Sequence, residues 1–155
     1  MKEQDRLTKL FADLFDGGPW IDVTIMGTLD KITAKKAATK PFPPFNSIWE
    51  IVNHMISWRE TVLKRIQGEN IESPEGNYFS YIRDRSEEAW QKTREGFRAS
   101  QQQWLKELKK MKRKDLERKH DFSSHSNYEL VQGILQHDAY HLGQIRLQKK
   151  LVQFP

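Results

Sequence analysis

Cysteine is missing from all 155 residues, which excludes disulfides and thiolate ligands, so any metal must be held through nitrogen or oxygen. Long apolar runs are missing as well. No stretch reaches the ~20 residues that span a bilayer, and the opening residues hold no signal-like apolar segment. These two absences predict a cytoplasmic chain with no membrane partner. Proline is scarce at six residues, and three of these, Pro41, Pro43 and Pro44, form a break that neither a helix nor a sheet ladder can cross. No internal repeat or low-complexity tract is visible, and the length suits one domain over 1–155.

What is present is large and aromatic. Five Trp and eight Phe raise a modest hydrophobic fraction of 37% to a level that can fill one core. The net charge is +5 and the pI about 9.4, with much of the excess between Lys106 and Lys119. No aromatic residue is interleaved with Lys109, Lys110, Lys112, Arg113, Lys114, Arg118 and Lys119, and no DNA-reading motif accompanies them. They read as a solvated helix end whose late basic residues suit the helix dipole, and nucleic acid is not an expected partner.

Periodicity along the chain predicts an all-α fold. Leu7, Leu10, Phe11 and Leu14 fall at helical spacing, Gly17-Gly18-Pro19 interrupts, and helix resumes from Trp20 through Ile25, Leu29 and Ile32, so that helix one is a broken element. Helix two opens with the capping box Ser47-x-x-Glu50 and carries Ile48, Ile51, Met55, Trp58, Val62 and Ile66 to Gly68. The segment from Gly68 to Arg85 has no sustained period and reads as a long crossover. Helix three, capped by Asp84 with Glu87, follows Trp90, Thr93, Phe97, Ser100, Trp104 and Met111. A polar connection from Arg118, with a short extended piece, leads to a second capping box, Ser126-x-x-Glu129. Helix four then runs through Leu130, Ile134, His137, His141 and Ile145. Gly133 and Gly143 interrupt it at about 1 kcal/mol each relative to Ala, as residues that permit close packing, admit a ligand or are merely tolerated.

His137 and His141 stand four residues apart, so both rings leave one face of helix four about one turn apart and can hold one metal ion. A third ligand must come from elsewhere. His54 is the best candidate, while His120 and His125 compete from the connection before helix four. Three histidines with an open position are the pattern of a catalytic rather than a structural metal site. At 1.5 Å per residue, His54 lies ~10 Å from the start of helix two, and His141 lies ~13 Å from the Lys150 end of helix four. The depths match if helices two and four are antiparallel, which gives an up-down-down-up four-helix bundle with a long crossover between helices two and three. The site then lies toward Ser47, Pro41 to Phe45 and the C-terminal Leu151 to Pro155, with Tyr78, Tyr81, Arg83 and Arg85 near its mouth. Asp138 points ~100° away from His137 around the helix, as a supporting or interhelical partner rather than a base. Gln144 can reach bound water or substrate, or a neighbouring helix.

The strings Asn46-Ser47-Ile48-Trp49-Glu50-Ile51-Val52-Asn53-His54 and Gly133-Ile134-Leu135-Gln136-His137-Asp138-Ala139-Tyr140-His141-Leu142-Gly143-Gln144-Ile145 resemble the DinB-like superfamily, including its YfiT-like metalloenzymes. The resemblance covers essentially the whole chain. It implies a divalent metal, commonly nickel or zinc, on residues matching His54, His137 and His141. It also implies a small-molecule partner, since members include S-transferases that use bacillithiol, mycothiol or glutathione in detoxification and stress response. Others are a maleylpyruvate isomerase or have no known reaction. A metal-dependent thiol transferase is the first expectation; a metal-dependent hydrolase, a non-catalytic metal-binding protein and a homodimer stay open.

Overall fold

The computed structural model describes residues 1–152, so Gln153, Phe154 and Pro155, expected near the site, lie outside the described residues. The described chain is all helical, with four long helices, α1 (Glu3–Phe15), α4 (Ile48–Ile66), α5 (Glu87–Lys110) and α7 (Asn127–Leu151). Three one-turn helices join them: α2 (Ile25–Leu29), α3 (Ala34–Ala38) and α6 (Arg113–Glu117). The extended piece before helix four is a single antiparallel bridge between Lys119 and Ser126. No helix among the described residues is long and apolar enough to cross a membrane.

Both capping boxes form. Ser47 Oγ accepts from Glu50 N while Glu50 Oε2 accepts from Ser47 N at 2.7 Å, and Ser126 and Glu129 repeat the exchange. Two expectations need correction. Helix does not resume at Trp20, which is 96% exposed in a turn; it begins at Ile25, where Thr24 accepts from Gly27 N and supplies the cap that Trp20 lacks. The cap of α5 is Ser86 rather than Asp84, because Ser86 Oγ accepts from Ala89 N, while Glu87 reaches back to Ala34 N at 2.8 Å and anchors α3.

The order of side-chain partners places the long helices. Ile66 at the end of α4 lies beside Asn127 at the start of α7, Arg59 meets Asp138, and His54 meets His141, so numbers rise along one helix as they fall along the other. Along α4 and α5 they rise together, with Trp49 on Thr93 at 2.8 Å and the Arg59 carbonyl on Trp104 at 3.1 Å. Phe11 stacks on Trp104 and Phe15 meets Phe97 edge-on, which sets α1 against α5 in the opposite sense. The apolar interior falls into two clusters, one around Trp49, Met55, Trp90 and Ile145 and another around Leu7, Leu63, Trp104 and Ile134. A buried polar layer of Arg59, Gln101 and Asp138 occupies the same seams.

The buried stripe of α7 is rotated from the expected one. Val131, Ile134, Asp138, Leu142 and Ile145 face the core, while His137, Tyr140, His141, Gln144 and Gln148 line the neighbouring edge and open onto a pocket. Gly133 and Gly143 face open space, so neither mediates close packing.

Candidate metal centre

His54 is delivered by α4 and His137 and His141 by α7, and one ring nitrogen from each lies within 4.8 Å of the other two. The spacing on α7 and the depth match between helices both operate as expected. His120 and His125 are not part of the cluster. His120 Nε2 donates to Ile66 O at the far end of α4, and His125 sits beside Ser123 and Glu129.

Hydrogen bonds decide which nitrogens are free. His54 Nδ1 donates to the Asn77 carbonyl at 2.6 Å, which leaves the lone pair on Nε2. His141 Nδ1 donates to Gln144 Oε1 at 2.6 Å, which again frees Nε2, and Gln144 is itself held by Tyr140. Fixing one ring nitrogen of a ligand by a hydrogen bond to a carbonyl is how metal-binding histidines are oriented. Gln144 lines the pocket, and its amide is bonded to His141 and Tyr140 of its own helix rather than to a neighbouring one.

His137 supplies the test of whether an ion fits. Its Nε2 lies 3.0 Å from His54 Nε2, whose lone pair points at it, so the contact needs either a proton or a cation between them. Two ligands of one tetrahedral ion at ~2.05 Å stand ~3.3 Å apart, close to that separation. With a proton on His137 Nε2, two buried atoms stay unpartnered: His137 Nδ1 and Asp138 Oδ1, 3.6 Å apart. With a cation there, the proton of His137 would reside on Nδ1, on the side of the Asp138 Oδ1 charge 3.6 Å away, an electrostatic approach longer than a hydrogen bond. The donor set thus fits a divalent ion. The other oxygen of Asp138, fully buried, accepts from Arg59 Nε at 2.8 Å and Nη2 at 2.7 Å, and Arg59 Nη1 continues to Gln101.

Burial and mutual repulsion favour the neutral forms of His54 and His141. Desolvation, then the neighbouring His137, lower the pKa of His141 to about 4, and desolvation also lowers that of His54 despite the opposing Asn77 bond. Neutral imidazole is the form that donates to a metal.

The crossover completes the site, and sequence reasoning missed its part. Asn77 and Tyr78 are consecutive non-glycine residues at φ 49° and 61°, a conformation that costs roughly 1–3 kcal/mol each. Three bonds hold them there: Asn77 O takes the His54 proton, Asn77 Oδ1 accepts from Trp58 Nε1 at 2.9 Å, and Thr61 donates to the Tyr78 hydroxyl. Phe79 then stacks on His54 at 4.1 Å, nearly parallel. Without a hydrophobic period, the crossover gave no signal for Asn77 or Phe79. Arg59 did leave one, as a charge on the apolar stripe between Met55 and Val62.

In front of the histidines lies a pocket of about 600 Å³, walled by the Pro-rich turn, α4, the crossover and α7. It lies at the expected end of the bundle. Arg83 and Arg85, expected at its mouth, do not line it; Arg85 turns onto the Tyr81 hydroxyl at 2.8 Å. Tyr78 packs against Thr61 and Trp58 instead.

A family model described as the DinB superfamily matches residues 24–145, from α2 to beyond the second α7 histidine. The chain belongs to the DinB superfamily. No curated protein and no solved structure matches it. The family match includes all three histidines of this DinB chain, together with Asn77, Phe79 and Gln144, which orient or cover them.

Proposed function

We propose that this chain is a metal-dependent enzyme of the thiol S-transferase kind, with a divalent ion held by the Nε2 atoms of His54, His137 and His141. The observation that carries the reading is the convergence of these nitrogens, two fixed by Nδ1 bonds, at the wall of a pocket large enough for a small molecule. An ion there would lower the pKa of a thiol entering from the pocket and present it as the nucleophile. The chain has no cysteine to supply that sulfur, so the thiol is a substrate. Its own residues orient the ligands through Asn77, Gln144 and Asp138, and exclude water with Phe79, Trp58 and Ile51. Hydrolysis is less well supported, since no Asp or Glu lines the pocket among the described residues and Asp138 is engaged behind it by Arg59. The order of helix partners supports the up-down-down-up arrangement that brings His54 to the depth of His141. Three imidazoles suit nickel or zinc, between which geometry and availability decide.

The test is metal content by mass spectrometry of untagged protein, alongside conjugation of a small thiol to monochlorobimane. Wild type should hold one ion per chain and accelerate conjugation over metal-free protein. His54→Ala, His137→Ala and His141→Ala should each lose stoichiometric metal while remaining helical, and His120→Ala should keep it. Full affinity in His54→Ala would refute the three-histidine site, and no metal-dependent rate with any thiol would refute the transferase.

A further inference from the structure

Among its described lining residues the pocket has no Asp, Glu, Lys or Arg, and its walls are formed chiefly by Phe45, Ile51, Trp58, Phe79 and Leu147. A carboxylate seated there would lose its water and meet no cation, the unfavourable case of charge burial. The nearest buried guanidinium, Arg59, is engaged by Asp138 and Gln101.

Two amides of the walls, those of Asn77 and Gln144, are engaged as well. Both oxygens of Asn77 accept from His54 and Trp58, and the Gln144 amide bridges His141 and Tyr140. Asn46 is half-buried at the turn. Gln148 is different. It stands seven residues beyond His141 on the pocket edge of α7, is 4% exposed, and buries Oε1 with no partner. A buried acceptor of this kind is unfavourable until a donor reaches it, and the pocket is where a donor can come from.

We propose that the substrate occupying this pocket is uncharged apart from the one group that meets the ion: an apolar aryl or alkyl thiol bearing a single N–H or O–H that donates to Gln148 Oε1. The proposal rests on the metal reading for its head group, whereas the preference for a neutral body and the donor to Gln148 rest on the walls alone. A thiol with several carboxylates is excluded from the pocket on this ground. Gln148 is a specificity residue that touches substrate away from the sulfur.

Calorimetry on zinc-loaded protein compares 2-mercapto-N-phenylacetamide with its N-methyl anilide and with mercaptosuccinate. The neutral anilide should bind at least tenfold more tightly than mercaptosuccinate, and N-methylation should weaken it several-fold in wild type but not in Gln148→Leu. Leu147→Arg, which adds a cation at the rim, should narrow the gap by strengthening mercaptosuccinate. A second arm needs no ion: ligand-observed NMR on metal-free protein should show contact with acetanilide and none with terephthalate. That arm separates the two readings, because loss of metal binding abolishes the thiol results and leaves the acetanilide preference intact. Binding of terephthalate or mercaptosuccinate as tight as that of the neutral probe overturns the proposal, as does a pocket that takes neither acetanilide nor the anilide thiol. An N-methyl effect that persists in Gln148→Leu overturns the role of Gln148.

Discussion

Two polar clusters share the seam between α4 and α7, and they are built in opposite ways. Around Arg59, every arm of the guanidinium finds an acceptor, and three rings, Phe11, Phe15 and Phe97, surround it at 5.0 to 6.0 Å. A turn away, one ring nitrogen from each of three histidines lies within 4.8 Å of the other two beside a pocket. The first cluster closes on itself and the second stays open. Buried polar groups tolerated for architecture are satisfied internally, whereas groups kept for binding leave donor atoms facing a common space. The two meet at Asp138, one oxygen held by Arg59 and the other facing His137.

The largest expected effect is on the closed cluster. Arg59→Met leaves Asp138 buried and uncompensated, and stability measured by chemical denaturation should fall by ~3–5 kcal/mol. Adding Asp138→Leu should recover most of that loss, since removing both partners leaves no charge stranded. A loss below about 1 kcal/mol, the size of an exposed ion pair, would show that the closed cluster is not what it looks like. His141→Leu should do the reverse, leaving metal-free stability near wild type while metal binding is lost.

Much of the open cluster was legible in the sequence because it depends on helical spacing. His137 and His141 share a face by period alone, and the capping box at Ser47 and the Lys150 end of helix four set the depths that matched His54 to His141. Asn77, Phe79 and the role of Gln148 were not legible. The crossover folds by strained turns and single hydrogen bonds that leave no periodic trace, and a glutamine one turn past Gln144 reads as surface until its burial is known. The resumed helix at Trp20 failed for a related reason: apolar spacing was present, but the cap that starts a helix lay at Thr24. The arginines expected at the mouth were misplaced because a loop position says nothing about which way a long side chain turns.

A middling effect should sharpen the boundary between the clusters. Gln144 holds Nδ1 of His141 without joining the ligand set. Gln144→Leu should therefore weaken metal affinity ~10–100-fold, the range for groups that orient a ligand, while global stability is nearly unchanged. Gln144→Glu keeps an oxygen acceptor in place and should retain most of the affinity in metal titrations followed by calorimetry. If Gln144→Leu binds as tightly as wild type, orientation of His141 comes from packing alone.

The smallest effect expected is a pH dependence carried by the open cluster. Folding lowers the pKa of His141 from 6.5 to about 4 and lowers that of His54, both chiefly through burial. Between those values the unfolded chain binds more protons than the folded one, so these residues make metal-free stability fall as pH drops from about 6.5 toward 4, with no contribution to the slope from His141 above that window. The double variant His54→Leu/His141→Leu should show a shallower acid slope than wild type in denaturation midpoints across that window. The neutral state of His141 also means that ion binding at pH 7 displaces almost no proton from it, which calorimetry in buffers of different ionisation enthalpy can read. An unchanged acid slope in the double variant would mean that protonated imidazoles are accommodated in the cluster, and the contrast with the closed Arg59 network would then lose its electrostatic half.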